Sequence, residues 1–229
     1  MTGTKDYLLG QIRGGGTLTS GQQLKLCLML SYPAIIAQLS SVLMQYIDTS
    51  MVGHLGAAAG AAIGLVAPCM WLLGGFCGAC SSGFSVQVAH LIGANDFKAA
   101  REVLRQALVS ALLFSGLIAL LGVAVSGPLP GWLGGSEEIL NDSARYFLIV
   151  AACIPLMQID WMCASMLQVS GNMKVPSYLN IGMCVLDVCF NYLFIYVLDM
   201  GVIGAAIGTG LAELITASAM LYFVAVPNS

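Results

Sequence analysis

Six apolar stretches, near 26–48, 62–90, 104–126, 144–168, 176–198 and 202–226, follow one another with only short polar joints between them. Each reaches the roughly 20 residues that a helix needs to cross a bilayer. In hydrocarbon the backbone must satisfy its own polar groups, which leaves helices and closed barrels as the two solutions. A barrel would show alternating segments of about ten residues, and none are visible. The expectation is an all-α integral membrane protein with six transmembrane helices. Composition agrees, since 59% of the chain is hydrophobic and 8% charged, where a soluble domain carries about a quarter charged residues. Three regions follow: a polar, glycine-rich tail over 1–25, a six-helix bundle over 26–226, and a short end at 227–229.

The net charge of −3 says little about partners, and no nucleic-acid partner is expected. The placement of the cations says more. Lys5, Arg13 and Lys25 precede the first span, Lys98, Arg101 and Arg105 follow the second, and Lys174 follows the fourth, leaving Arg145 alone on the other side. By the positive-inside rule the first group is cytoplasmic. Both termini are then expected in the cytoplasm of a cell membrane protein, with Glu137, Glu138, Asp142 and Asp199 outside. The tail lacks the short apolar core of a cleaved signal peptide and reads as a cytoplasmic segment with room for an interfacial helix. Eight cysteines, Cys27, Cys69, Cys77, Cys80, Cys153, Cys163, Cys184 and Cys189, lie in or beside apolar spans and read as small buried hydrophobes. Cys77 and Cys80 form a CxxC without a histidine or a second pair, which supports neither a metal site nor a redox motif.

Against this background two carboxylates stand out. Asp48 and Asp187 fall within apolar spans, where an ionised carboxylate costs roughly 2.5 to 3.5 kcal/mol unless it is paired, protonated or wet. Their settings, Tyr46-Ile47-Asp48-Thr49 and Asp187-Val188-Cys189-Phe190-Asn191, place polar partners beside the carboxylate or one helical turn away. Four residues apart on a helix is one face, so Asp187 and Asn191 point together. Sodium prefers hard oxygen ligands, which carboxylate, amide, hydroxyl and backbone carbonyl supply, and two carboxylates in low dielectric also bind a proton. Either ion suits the set. Asp160 reads as a substrate contact or a structural acceptor, with Glu213 similar, and Met44, Met157, Met162 and Met166 could line an adaptable cavity or pack in the core.

Small residues recur at four-residue spacing, Gly56, Gly60 and Gly64, then Gly74 and Gly78, then Gly204 and Gly208. Such spacing lets membrane helices approach closely and predicts a compact bundle. The string Gly-Ala-Ala-Ile-Gly occurs at 60–64 and again at 204–208, a weak sign of repetition. Pro33, Pro68 and Pro155 lie inside spans, where proline is tolerated. The loop from Gly93 to Lys98 reads as a turn into a helix capped by Asn95 or Asp96, with Arg101 and Arg105 facing lipid headgroups.

Several of these segments occur together in one known family. The segment from Tyr46 through Asp48, Gly53 and His54 to Gly56, the segment Leu91-Ile92-Gly93-Ala94-Asn95-Asp96 with Ala100-Arg101, the segment Asn191-Tyr192-Leu193-Phe194-Ile195, and Gly201 to Thr209, in that order over residues 30–226, resemble the multidrug and toxic compound extrusion family. The resemblance implies a cation-coupled antiporter that exports small-molecule organic compounds and needs no cofactor beyond its coupling ion, Na⁺ or H⁺. Family members have twelve helices in two lobes, so this chain corresponds to the first lobe. The resemblance carries a cation-site role onto Asp48. On the fifth span the family pattern Asn-x-x-x-Asp is here Asp187-x-x-x-Asn191, a swap that leaves the ion open. Thr209 and the Ala205 backbone match positions that complete the site.

Other readings compete. A lipid-precursor flippase of the same superfamily would carry basic residues deep in its spans, which this chain lacks. An intramembrane enzyme would need a motif such as Gly-x-Gly-Asp, His-Glu-x-x-His or Gly-x-Ser-x-Gly, and none occurs. A non-transporting fragment or accessory subunit is the third alternative, because a half-length chain must dimerise, pair with a second six-helix lobe or derive from a longer gene. The ending at Pro227-Asn228-Ser229, where the family continues through a basic connector, favours truncation.

Overall fold

The computed structural model describes residues 7–8, 10–11 and 17–225, apart from the side chains at 33, 34 and 37. Of the expected tail, Tyr7, Leu8, Gly10 and Gln11 are helical and Leu8 is buried. Lys5, Arg13 and the end at 227–229 lie outside the described residues.

The chain from Ser20 onward is a succession of helices: α1 (Ser20–Gly53), α2 (Ala57–Gly93), α3 (Phe97–Val125), the single turn α4 (Leu129–Trp132), α5 (Glu137–Val169), α6 (Lys174–Tyr192) and α7 (Gly201–Ala225). A π-helical turn, Leu193–Val197, extends α6 without a break. Among the described residues five helices are long and apolar enough to cross a membrane: α2, α3, α5, α6 with its extension, and α7. The 34 residues of α1 would span about 50 Å at 1.5 Å per residue, longer than a bilayer core.

Local chemistry explains where the helices start and stop. Thr19 opens α1 as its backbone N–H donates to Gln22 Oε1 at 3.0 Å, half of a capping box. The α1–α2 connection needs a left-handed residue, and Gly56 supplies it at φ 108°. In the α2–α3 turn Asn95 takes φ 60°, while Asp96 Oδ1 accepts from Ala99 N at 3.0 Å. Of the two candidate caps, Asp96 does the capping. Pro68 and Pro155 sit inside α2 and α5 as expected.

The most extensive packing surrounds α5, which lies against α2, α3 and α7, whereas α6 packs between α1 and α7. Two hydrogen bonds strap α5 to α2. Ser143 Oγ donates to the Ala62 carbonyl at 2.9 Å and Gln158 Nε2 donates to Ser81 Oγ at 3.0 Å. Both link later residues of one helix to later residues of the other, so α2 and α5 run parallel. Two apolar clusters fill the α2–α3–α5 interior, one around Val66, Phe147 and Ile154, the other around Val88, Ala107 and Met162. A third, of Val52, Ala59, Ile195, Val202 and Ala205, closes the end where α1 hands over to α2 and α6 to α7.

The glycine repeats divide into two kinds. At Gly204 an added Cβ would meet the Phe194 carbonyl carbon and oxygen at 2.8 Å, and at Gly208 it would meet the Asn191 side chain. These two glycines set the α6–α7 distance. Gly56, Gly60 and Gly64 have nothing within 4 Å. The two glycines of the repeated string therefore pack helix on helix at 204 and 208 and face outward at 60 and 64, while Ala62 between the latter is buried. The exterior is strongly apolar, with Trp71 81% and Leu113 72% exposed, as suits a surface in contact with lipid.

Candidate functional site

Asp48, Asp187 and Asn191 come together. Asp48 stands five residues before the end of α1, and Asp187 and Asn191 lie on the face of α6 that packs against it. The Asn191 amide nitrogen donates to Asp48 Oδ1 at 3.0 Å and to Asp187 Oδ2 at 3.1 Å. One NH₂ group has two hydrogens, and here each is given to a different carboxylate. Asp187 and Asn191 are 0% and 1% exposed, while Asp48 is half-buried. The two carboxyl groups also lie within hydrogen-bonding reach of each other.

Neighbouring helices complete the setting. Thr209 of α7 approaches the Asp187 carboxylate, and Ala205, one turn earlier, is buried in the end cluster. Tyr146 of α5 lies near enough for both carboxylates to act on its phenol, and its ring packs against two of the three apolar clusters. Beyond Asn191 the π-turn begins. Tyr196 within it donates its hydroxyl to the Met51 carbonyl at 3.0 Å, a second tie from α6 to α1, and Ser41 Oγ donates to Asn180 Oδ1 at 3.2 Å as a third. π-turns inside helices are frequent at functional sites.

Two oxygens are left over. Asp187 Oδ1 and Asn191 Oδ1 are buried with no hydrogen-bond partner, and such groups call for an explanation. They lie in a neighbourhood that also holds the Asp48 carboxylate and the Thr209 hydroxyl, hard oxygen groups of the kind that a monovalent cation prefers. The amide nitrogen of Asn191 lies between the carboxylates.

Asp160, Met44 and Met157 are the residues expected to line a substrate cavity. Met157 lines a small apolar pocket between α2 and α5 with Met70, Phe147 and Trp161, but neither Asp160 nor Met44 lines it. Asp160 is buried on α5 and Met44 is half-buried on α1. Gly208, which shapes the site by its closeness to Asn191, and Tyr146 and Tyr196 were not singled out as site residues. The glycine spacing pointed to Gly208 as a packing position, whereas nothing in the neighbouring sequence marks either tyrosine.

The fold is that of a multi-pass α-helical membrane protein with buried carboxylates bridged between helices. The chain belongs to the MatE family, whose profile matches residues 33–193, a family of transporters and not of enzymes. It is 28% identical over 208 residues to "Probable multidrug resistance protein NorM" of Photorhabdus laumondii, which covers 89% of this chain and 46% of that protein. It is 24% identical over 198 residues to "Multidrug export protein MepA" of Staphylococcus saprophyticus, covering 85% of this chain and 43% of the relative. The fold matches the Vibrio cholerae MATE transporter VcmN in its bent form at a TM-score of 0.81 and 23% identity, covering 97% of this chain and 47% of that one. A MOP-superfamily transporter from Pyrococcus furiosus matches at 0.82 and 24% identity, with 86% and 44% covered. The chain spans about half the length of the relatives it matches.

Proposed function

We propose that this chain is the N-terminal six-helix lobe of a cation-coupled antiporter that exports organic compounds, with Asp48, Asp187, Asn191, Thr209 and the Ala205 backbone as its cation site. In this reading α1 is a sixth span, both termini are cytoplasmic, and the protein sits in the cell membrane, where seven of its eight cations face the cytoplasm. The observation that carries the proposal is the Asn191 amide bound to Asp48 at 3.0 Å and Asp187 at 3.1 Å. A cation entering between the carboxylates takes over the role of that amide, and the α1–α6 tie changes with its occupancy. The names of the relatives support multidrug export, and the oxygen set suits either Na⁺ or H⁺.

The decisive experiment is efflux of a fluorescent organic cation from proteoliposomes containing the purified chain, driven separately by a Na⁺ gradient and a pH gradient. Transport under one gradient that is lost in Asp48→Asn supports the reading and identifies the ion. Transport that Asp48→Asn and Asp187→Asn both leave untouched would overturn it. The second reading, a lobe that works only with a second six-helix lobe or another copy of itself, is favoured by the half-length match to the relatives. It predicts no transport by the chain alone and Asp48-dependent transport once a C-terminal lobe is supplied.

A further inference from the structure

Deeper along α7 from the Asp48–Asp187 pair, the bundle holds carboxyls that the proposed cation site does not use. Gly210 of α7 packs so tightly on α5 that an added Cβ would come within 2.8 Å of Cys153 Sγ. Helices α5 and α7 are each antiparallel to α6 and so run the same way. Glu213, about one turn beyond Gly210, is therefore level with the stretch of α5 that runs from Cys153 toward Asp160. Glu213 is 4% exposed and Asp160 9%. Glu213 Oε1 and Asp160 Oδ1 are both buried without a hydrogen-bond partner. Gln158, fully buried two residues before Asp160, has its nitrogen committed to Ser81 at 3.0 Å and its Oε1 likewise unpartnered.

Among the described residues no positive charge answers these acids. Glu213 feels Asp160 from the α5 side and Asp187 from the α6 side. The other titratable groups nearby are Cys153 and Cys163 of α5, the first within the influence of Glu213 and the second within that of Asp160. Asp48 of α1 lies beyond, with Asp187. Neither lysine nor arginine occurs between residues 146 and 173 or between 175 and 229. Two neighbouring buried carboxylates with no counter-charge are strongly unfavourable when both are ionised. A single proton removes one of the two charges.

From this geometry we infer that Glu213, with Asp160 as its acidic neighbour on α5, forms a proton-binding pair in which Glu213 carries the proton, at a second site distinct from the Asp48–Asp187–Asn191 cluster. The pair does not depend on the transport reading. Infrared spectroscopy of the purified full chain at neutral pH tests it without any mutation. The other glutamates, Glu102, Glu137 and Glu138, are all exposed, so a protonated carboxyl band that moves on carbon-13 glutamate labelling reports Glu213. The expected result is one such band, present in the native chain and in Asp48→Asn, and lost in Glu213→Gln. No glutamate-sensitive band, a band that survives Glu213→Gln, or a band abolished by Na⁺ would each overturn the inference. A labelled band in a chain that shows no Asp48-dependent efflux would leave the pair standing while the transport reading fell.

Discussion

Gly208 of α7 lies so close to Asn191 of α6 that a Cβ there would strike the Asn191 amide oxygen and sit 3.0 Å from its backbone nitrogen. The missing side chain of one helix thus fixes which way the amide of the other can point. With its oxygen pressed toward α7, the nitrogen turns toward α1 and the two carboxylates.

Gly208→Ala should therefore destabilise the bundle by about 1–3 kcal/mol, the usual cost of overpacking. Gly204→Ala, which would meet the Phe194 carbonyl at 2.8 Å, should do the same, while Gly64→Ala, with nothing within 4 Å, should be neutral. Thermal unfolding of the three variants in detergent checks the ranking. Equal midpoints would show that the α6–α7 approach does not matter to stability.

Asn191→Ala removes both hydrogen bonds to the carboxylates and leaves Asp48 and Asp187 facing each other without a shared donor. Each bond to a charged group is worth about 1.5–3 kcal/mol. The variant should unfold more readily, and the loss should be much smaller when Asp48→Asn is already present. A double-mutant cycle measures this coupling, and simple additivity would mean that the amide is not a bridge.

Two straps between α2 and α5 should respond differently to removal. Ser143→Ala deletes a donor to the Ala62 carbonyl, and bonds of this kind in membranes contribute roughly 0.6 kcal/mol. Ser81→Ala takes away the acceptor of the buried Gln158 amide, leaving an unsatisfied donor at a cost of about 1–3 kcal/mol. Unfolding of the two single variants should show Ser81→Ala as the worse, and the reverse order would contradict the packing described.

The orientation proposed from the cations can be read with an amine reagent that does not cross membranes. Lys98, exposed at the start of α3, should stay unlabelled in intact cells and react once they are permeabilised. Reaction from outside would invert the topology.

Much of this arrangement was legible in the sequence, for physical reasons that differ from element to element. Apolar runs of membrane length announced α2, α3, α5, α6 and α7 because hydrocarbon leaves the backbone so few options. The Asp187–Asn191 pairing followed from helical period alone. The nearness of Asp48, 143 positions before Asn191, did not, since no local pattern encodes a contact between α1 and α6, and it rested on the family resemblance. Periodicity could not tell the buried Gly204–Gly208 pair from the open Gly60–Gly64 pair, because the same spacing serves any close surface. The π-turn at Leu193–Val197 left no signal either, since its residues are ordinary helix and strand formers. Glu213 was visible as an acid in an apolar run, but its closeness to Asp160 depends on the depth at which Gly210 meets Cys153.

The packing also says where such a bundle can yield. The straps and apolar clusters join α2, α3 and α5 into one block, and α6 is tied to α1 by Asn191, Tyr196 and Ser41, while α5 and α6 touch only slightly. Between the two blocks runs a seam, and α7 is the helix that lies broadly against both sides of it. Glu213 sits on that helix with Asp160 on one flank and Asp187 on the other. The charge around this carboxyl is therefore set by how both blocks seat against α7.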